Sequence, residues 1–323
     1  MYYSLVMKQS STPTRPLRIG SRGSPLALIQ ARQAQTALAK ACGIVPEQIE
    51  IKIIRTSGDR IQDRPNQQSL ADAGGKGLFT KEIEEALLSG AIDFAVHSSK
   101  DIPAVLPAGL TLAAFLPRED PRDALVSHKA KTLRDLPSNA RVGTSSPRRQ
   151  ALLMRARPDL RIVPLRGNVE TRLRKIDAGE IDAGVLAVAG LKRLGLFSSI
   201  AAAFEVEEFL PAAGQGAIAI ETRANDESAR AHAAAVDDAD THTALAAERA
   251  FLAALGGSCR TPIAGHARVD GDAVTFRGLV AKADGSDAIE VSRQGRRADA
   301  AAIGADAGYE IKMRAGADFF VED

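Results

Sequence analysis

The chain contains no tryptophan, and aromatic residues make up only 4% of its 323 residues. Nucleic-acid modules that stack bases on aromatic side chains are therefore disfavoured. The formal net charge is only +2, so the molecule as a whole carries no charge excess that would attract a polyanion. Hydrophobic residues nevertheless reach 45%, which allows packed cores, and the length suits two or three domains of roughly 100–150 residues.

Only two cysteines are present, Cys42 and Cys259, and they lie far apart in the sequence. Neither a disulfide framework nor a CxxC pair for zinc or redox chemistry is predicted, and the composition suits the reducing cytoplasm. No apolar run approaches the ~20 residues that cross a membrane. Residues 1–16 lack the features of a signal peptide, and we expect a disordered leader there.

Residues 93–103 combine a predicted buried strand with a polar cluster at its end. Phe94 and Val96 lie among apolar neighbours, and Lys100 and Asp101 follow where the strand stops. In α/β folds the carboxyl end of a strand is where ligands meet the protein. A carboxylate beside an ammonium there is a candidate site for reactions in which charge develops or a proton moves, because each group shifts the pKa of the other. A surface turn with a casual ion pair is the alternative.

Two segments, residues 17–26 and 141–149, repeat the same pattern of strand, glycine, hydroxyl-rich turn and Ser-Pro. Ser24 and Ser146 are predicted to cap the helices that follow, with a proline at the first helical position. The free N–H groups of such a helix start favour anions.

A second repeated pattern follows each of the first. Residues 88–96 and 177–185 both predict a helix end, a glycine and a strand that begins with Ile-Asp. We therefore predict two α/β domains of similar construction, with crossings near residues 115–122 and 210–216 and a cleft between two hinged lobes. A smaller third unit is expected after them.

The predicted domain limits follow from these crossings. We expect a leader (1–16), domain 1 (17–116 with 217–238), domain 2 (117–216) and domain 3 (239–323). Within domain 3 we predict, after a polar stretch, a helix over 244–255, strands over 273–281 and 288–293, a last helix from about Ala298 and a closing strand at Val321.

Positive charge concentrates between Arg141 and Arg193, where twelve basic residues outnumber five acidic ones. Arginine binds carboxylates and phosphates with a planar, two-toothed fork, so an inward-facing set would hold a ligand with many acidic groups. Glycine and serine neighbours favour a ligand-binding role for Arg148, Arg149, Arg166 and Arg172. A solvated face is favoured for Arg155, Arg157 and Arg161.

Residues 74–81 are rich in glycine but lack the spacing of a phosphate-binding P-loop. We predict instead a flexible loop that covers a cleft, in which Lys76 and Phe79 offer charge and an apolar wall. Cys259 lies on a Gly-rich turn beside an arginine, which makes it a candidate functional thiol. Cys42 follows an apolar helical segment and is interpreted as structural.

Taken together, these segments resemble the porphobilinogen deaminase family from about Leu17 to the C-terminus. The resemblance rests on residues 74–79, 95–103, 118–124, 142–150, 165–168, 186–195, 210–216 and 256–262. One segment departs from the family pattern, because Ser258 stands where a glycine is expected directly before the cysteine.

The resemblance implies a fold and a chemistry. It implies two domains similar to type II periplasmic binding proteins around a hinged cleft, and a smaller α/β domain that carries the cofactor cysteine. It implies a dipyrromethane cofactor joined to Cys259 by a thioether, and the assembly of four porphobilinogen molecules into hydroxymethylbilane. It further implies a cytoplasmic monomer that acts on a small molecule, without a metal, nucleic acid or membrane.

The resemblance also implies the residues of the site. It gives as catalytic Asp101 and Lys100. The cofactor-binding residues that it implies are Cys259, Lys76, Ser98, Lys100, Asp101, Thr144, Ser146, Arg148, Arg149, Arg172 and Gly190. The substrate-binding residues that it implies are Arg22, Ser24, Phe79, Arg149, Arg166, Arg172, Arg193 and Gln215.

Two other classes of protein stay open at this point. A periplasmic-type anion-binding module would share the two lobes, but it would need neither the third domain nor Cys259 and would normally carry an export signal. A nucleic-acid-binding protein would use the arginine-rich segment 141–193, although the low aromatic content argues against it. The mass of the intact chain separates these classes, because only a covalently bound dipyrrole makes the chain heavier than its sequence.

Overall fold

The computed structural model describes residues 16–62, 77–256, 261–316 and 319. The first part of the chain forms β1 (Leu17–Ser21), α1 (Pro25–Cys42), β2 (Ile49–Ile53), α2 (Ser57–Gln62), α3 (Lys81–Leu88), β3 (Phe94–Ser98) and β4 (Leu110–Phe115). The middle part forms β5 (Asp123–Val126), β6 (Arg141–Gly143), α4 (Pro147–Ala156), β7 (Arg161–Val163), α5 (Val169–Asp177), β8 (Ala183–Ala187), α6 (Val188–Arg193) and β9 (Ala202–Ala203). The last part forms β10 (Ile218–Arg223), α7 (Glu227–Ala234), α8 (Ala239–Leu255), β11 (Ile263–Asp270), β12 (Ala273–Ala281), β13 (Ala288–Arg296) and α9 (Ala300–Ala315).

Both Ser-Pro turns begin helices, as predicted. The Ser24 side chain accepts a hydrogen bond from the Ala27 N–H at 3.4 Å, and Ser146 accepts one from the Arg149 N–H at 3.4 Å. Each cap satisfies one of the N–H groups that a helix start leaves unpaired. The starts of α1 and α4 therefore lie directly after the carboxyl ends of β1 and β6.

Two five-stranded mixed sheets have the same strand order. The first sheet runs β2-β1-β3-β10-β4 and the second runs β7-β6-β8-β5-β9. One strand in each sheet is antiparallel to its neighbours, β10 in the first and β5 in the second. Each of these strands follows a crossing of the chain from the other sheet. The internal repeat predicted from the sequence is confirmed, and so is the return of the chain to the first sheet.

Apolar side chains join each sheet to its helices. In the first sheet, Leu38 of α1 belongs to the same buried cluster as Phe94 of β3. In the second sheet, Leu153 of α4 belongs to the same cluster as Val185 of β8. The predicted α/β class is confirmed by this layering of mixed sheets and helices.

The third sheet is antiparallel, in the order β11-β12-β13, and packs against α8 and α9. Phe251 of α8 and Phe276 of β12 meet with their ring centroids 5.0 Å apart. The two helices approach so closely that a Cβ on Gly304 would lie 1.9 Å from the carbonyl oxygen of Ala247. Glycine is therefore required at this contact.

From residue 223 onward, the observed elements differ from the prediction in three main respects. Helix α8 begins at Ala239 rather than at residue 244, because Asp238 accepts a hydrogen bond from the Thr241 N–H at 2.8 Å and caps the helix. Helix α7 lies in the stretch interpreted as a polar connection, since its alanines give little apolar pattern. Strand β11, which begins at Ile263, was not predicted.

Among the described residues, no helix combines the length and the apolar character needed to cross a membrane. The closing strand expected at Val321 and residues 1–15 of the expected leader lie outside the described residues. The numerical domain limits stay a prediction.

Candidate active site

A cleft of about 510 Å³ opens where the two mixed sheets meet. Its walls come from the turn after β3, from the starts of α1, α4, α5 and α6, and from residues 212–217, which cross between the sheets. Leu252, Gly256 and Thr261 of the third unit complete the lining. Parallel strands point their carboxyl ends into this space, which is where α/β folds place their ligands.

The turn after β3 brings Lys100 and Asp101 into the cleft. Ser99–Asp101 form one turn of 3₁₀ helix, in which Asp101 is exposed and Lys100 is half-buried. The Lys100 Nζ lies 3.4 Å from the Oε1 of Gln215. Burial, reinforced by the positive charge of Arg149, lowers the pKa of Lys100 to about 8. Both side chains line the cleft, which favours a role there over the alternative of a casual surface pair.

Ser98 lies at the end of β3 and is held by Gln30 of α1. The Ser98 hydroxyl donates to the Gln30 Oε1 at 3.0 Å, and the Gln30 amide donates to the Ser98 Oγ at 2.9 Å. This reciprocal pair joins the start of the turn that carries Lys100 and Asp101 to the first helix. The role of Gln30 was not predicted, because its partner lies 68 residues away.

Arg148 and Arg149 line the cleft but are not free cations. Both are buried, and both form ion pairs at 2.7 Å with Asp123, the first residue of β5. Burial alone would raise the pKa of Asp123, but the two guanidinium groups outweigh it and hold that pKa at about 2. Asp123 was not predicted as a site residue, although it lies within the sequence segment 118–124.

Arg172 and Arg193 have no carboxylate within ion-pair distance among the described residues. The Arg172 Nε donates to the carbonyl oxygen of Gly167 at 2.8 Å, and the Arg193 Nη2 donates to that of Gly216 at 2.8 Å. Burial lowers the pKa of Arg172 to about 10, and burial also lowers the pKa of Arg193. These cations are held in place by backbone carbonyls and keep N–H groups for a ligand.

Arg22 reaches the cleft from the first sheet and is paired within the protein. Its guanidinium lies 2.6 Å from the Oδ1 of Asp59 and 4.1 Å from the centroid of the Phe79 ring. The Asp59 pKa is lowered: burial opposes this, but the bonds from Arg22 and Thr56 outweigh it. Arg22 and Phe79 both line the cleft, and their role in binding a ligand stays a prediction.

The remaining predicted residues fall into three groups. Ser24, Ser146, Gly190 and Gln215 line the cleft. Thr144 and Arg166 do not line it: Thr144 is buried, with its Oγ1 accepting from the Ser146 N–H at 3.1 Å, and Arg166 is exposed. Lys76 and Cys259 lie outside the described residues.

Two of the three arginines assigned to a solvated face behave as predicted, but Arg157 is half-buried and donates to the carbonyl oxygens of Leu133 at 2.9 Å and Leu136 at 3.1 Å. Arg155 and Arg161 are exposed. Arg157 forms an ion pair with Asp159 at 2.7 Å. Ion pairs of this kind at the surface contribute little to stability.

The cleft favours a ligand with several carboxylates. Lys100, Arg172 and Arg193 face it without a carboxylate within ion-pair distance among the described residues. Their lowered pKa values reflect the cost of keeping positive charge partly out of water, and a bound carboxylate would relieve that cost. The residues that are present therefore fit an acidic group. Within the described ranges, no cluster of histidine, cysteine, aspartate and glutamate could hold a metal ion.

Comparisons with known proteins agree on one family. The family description "Porphobilinogen deaminase, dipyromethane cofactor binding domain" matches residues 17–231, and "Porphobilinogen deaminase, C-terminal domain" matches residues 242–313. The porphobilinogen deaminase of Nitrobacter winogradskyi is 60% identical over 97% of this chain and 98% of its own length. That of Nitrobacter hamburgensis is 59% identical over the same shares.

Among solved structures, a periplasmic substrate-binding protein from Coxiella burnetii is similar to this chain, and the match covers 68% of this chain and 91% of that protein. Its identity is 17% and its TM-score is 0.40. The fold assignment rests on the strand order of the sheets.

Proposed function

The chain belongs to the porphobilinogen deaminase family, and we propose that its cleft is where four porphobilinogen molecules are joined head to tail into hydroxymethylbilane. The enzyme is a transferase that releases ammonia with each unit and frees its linear product by hydrolysis. Each unit brings an acetate and a propionate, so the bound chain gains carboxylates as it grows. The observation that carries the proposal is that Asp101 shares the cleft with Lys100, Arg172 and Arg193, which lack ion-pair partners among the described residues.

The dipyrromethane cofactor of the family suits the charge of this cleft. We propose that Lys100, Arg148, Arg149 and Arg172 bind its carboxylates, and that Cys259 forms the thioether. When bound, the dipyrromethane supplies the pyrrole to which the first substrate unit is joined. Further cofactor contacts are proposed for Lys76, Ser98, Asp101, Thr144, Ser146 and Gly190.

Asp101 is proposed as the central acid–base group. Positive charge develops on the substrate pyrrole as ammonia departs, and a fixed carboxylate stabilises that charge. The same carboxylate can accept the ring proton that leaves after coupling. Lys100 is proposed to assist, because a pKa of about 8 lets its Nζ hold a proton near neutral pH and give it up readily.

Substrate carboxylates are proposed to meet cations from both mixed sheets. Arg22 is now paired with Asp59, so a substrate carboxylate must exchange with that internal one. Arg193 offers N–H groups that no described carboxylate engages. The proposed substrate-binding set is Arg22, Ser24, Phe79, Arg149, Arg166, Arg172, Arg193 and Gln215.

We propose that the enzyme acts as a cytoplasmic monomer on a small molecule, without a nucleic-acid or membrane partner. The near-neutral net charge and the low aromatic content support this, as does the wide separation of the two cysteines. Light scattering during size-exclusion chromatography is expected to give the mass of one chain. A stable dimer would overturn this part of the proposal.

The role of Asp101 is tested by two substitutions. Asp101→Asn keeps the shape but removes the charge and basicity, so we expect a folded and nearly inactive enzyme. Asp101→Glu keeps the charge but moves it by one methylene, which is expected to slow turnover by about 10²-fold. Porphobilinogen consumption by purified, cofactor-loaded protein is the measurement.

Asp270→Asn is the matched control, because Asp270 is exposed at the end of β11, outside the cleft. It should keep the parent rate. An Asp101→Asn enzyme within tenfold of the parent would remove Asp101 from the mechanism.

A further inference from the structure

Asp123 is a buried carboxylate at the base of the cleft that no catalytic role yet explains. It is the first residue of β5, has no exposed surface, and pairs in register with Ala187 of β8. A buried charge is costly unless cations and hydrogen-bond donors surround it. Its contacts therefore identify the side chains that the Asp123 carboxylate positions.

The Asp123 carboxylate accepts hydrogen bonds from two side chains and forms an ion pair with a third. Its Oδ1 accepts from the Arg149 Nε at 3.0 Å, the Arg149 Nη2 at 2.7 Å and the Gln215 Nε2 at 3.0 Å. Its Oδ2 lies 2.7 Å from the Arg148 Nη2. Adjacent residues on a helix do not face each other, so Arg148 and Arg149 converge only because they share this anion.

The anchored guanidinium groups keep capacity for a ligand. A guanidinium has five N–H donors, and Arg149 uses two of its own on Asp123 and one on the carbonyl oxygen of Val185 at 2.9 Å. The other two have no hydrogen-bond acceptor among the described residues. The Nε of Arg148 is buried and has no hydrogen-bond partner in the part of the chain that the structure describes. An unpaired buried donor of this kind favours binding of an acceptor.

Asp123 also reaches Lys100 through Gln215. The Gln215 amide nitrogen donates to Asp123 and to the carbonyl oxygen of Pro121 at 2.7 Å. Because both partners only accept, the Gln215 carbonyl oxygen must turn the other way, where it lies 3.4 Å from the Lys100 Nζ. The amide orientation thus follows from Asp123 and the Pro121 carbonyl together.

We propose that Asp123 is the positioning residue of the active site: it draws Arg148 and Arg149 together as one carboxylate-binding pair and, through Gln215, orients the Lys100 ammonium. This inference rests on the proposed function. Asp123 itself does not line the cleft, so it acts on the ligand only through these three side chains.

The test compares Asp123→Asn and Gln215→Met with the parent, using porphobilinogen as the probe. The charged groups that act on Lys100 are Asp101, Asp123, Arg148 and Arg149. Loss of the Asp123 charge leaves the positive charges of Arg148 and Arg149 uncompensated, which lowers the pKa of Lys100 further. The basic limb of the kcat/KM pH profile, which we expect near pH 8, should therefore move to lower pH by about half a unit or more. We expect kcat/KM at neutral pH to fall by about 10²-fold. The fraction of chain that carries the covalent dipyrrole, measured by intact mass, should fall as well.

Gln215→Met removes the link to Lys100 but leaves both arginine pairs in place. It should shift the basic limb in the same direction while the cofactor fraction stays high, and it keeps the proposal testable if Asp123→Asn does not fold. The matched control is Asp182→Asn, because Asp182 also accepts from a lysine and an arginine backbone N–H but lies outside the cleft. It should leave the pH profile unchanged.

The outcomes separate this inference from the proposed function. A parent enzyme that does not consume porphobilinogen would overturn the proposed function. An active parent, with an unmoved basic limb in Gln215→Met and in any folded Asp123→Asn protein, would overturn the positioning role.

Discussion

At the scale of single residues, the cleft contains positive side chains whose charged forms are energetically unfavourable when no ligand is bound. Lys100 and Arg172 are partly withdrawn from water and lie near the positive charge of Arg149, and both effects lower their pKa values. A group whose charged form is disfavoured in the folded state reduces stability at the pH where it is charged. The residues that suit the cleft to an acidic ligand therefore destabilise the ligand-free protein.

Replacing Lys100 by methionine should show this cost directly. The folded pKa of about 8 lies below the ordinary value of 10.5, so the penalty is full below pH 8 and disappears as the pH rises towards 10.5. Lys100→Met should raise the free energy of unfolding by on the order of 1 kcal/mol at pH 7, and by less at pH 10. Urea unfolding of parent and variant, both in the cofactor-free Cys259→Ser background, measures it at the two pH values.

The exposed Lys312 provides the control. Lys312→Met should change stability by less than about 0.5 kcal/mol at either pH. A Lys100→Met protein that is less stable than the parent at pH 7 would contradict the account of stored charge.

At the scale of elements, the two crossings between the mixed sheets run side by side. The Leu116 N–H donates to the carbonyl oxygen of Ile218 at 3.0 Å, and the Glu119 N–H donates to that of Gly216 at 3.2 Å. Gly216 has a left-handed backbone with φ 92°, and a Cβ there would lie 2.3 Å from the Glu119 carbonyl oxygen. The contact leaves no room for a side chain where the paired segments border the cleft.

Gly216→Ala should therefore destabilise the protein by more than about 2 kcal/mol, from backbone strain and the clash together. Gly195→Ala is the matched control, because Gly195 also has positive φ, at 72°, but has open space around its Cβ position. It should cost about 1 kcal/mol. Equal losses in the two variants, measured by chemical denaturation, would show that the crossing tolerates a side chain.

The elements that carry local signals could be predicted from the sequence. Both Ser-Pro helix starts and the strand before Lys100 follow from residues within a few positions of each other. Asp123 could not be assigned in this way, because its partner Arg149 lies 26 residues away and only tertiary packing brings the two together. Helix α7 lacked a pattern, since alanine occupies both its buried and its exposed positions.

At the scale of the whole molecule, one buried carboxylate ties the third unit to the crossings. Glu248 of α8 has no exposed surface and pairs with Arg118 at 2.6 Å. It also accepts from the Gly214 N–H at 2.6 Å and the Ala267 N–H at 2.9 Å. Helix α8, which ends four residues before Cys259, is therefore held against the segment that lines the cleft.

Glu248→Gln should remove this tie. It leaves Arg118 largely buried without its counter-ion, a change that typically costs on the order of 3–5 kcal/mol. The exposed pair of Glu290 with Arg277 gives the comparison, because Glu290→Gln should cost no more than about 1 kcal/mol. Denaturant midpoints of the two variants are the measurement, and similar values would mean that Glu248 does not anchor the third unit.

We propose that this cleft builds a tetrapyrrole on a dipyrrole bound to Cys259. Intact-mass spectrometry of the purified chain tests it most directly, before and after addition of porphobilinogen. The parent and Cys42→Ser should exceed the sequence mass by one dipyrrole and then show further masses that rise by one pyrrole unit at a time, whereas Cys259→Ser should stay at its sequence mass. A parent chain at bare sequence mass, or an adduct that persists in Cys259→Ser, would contradict the account.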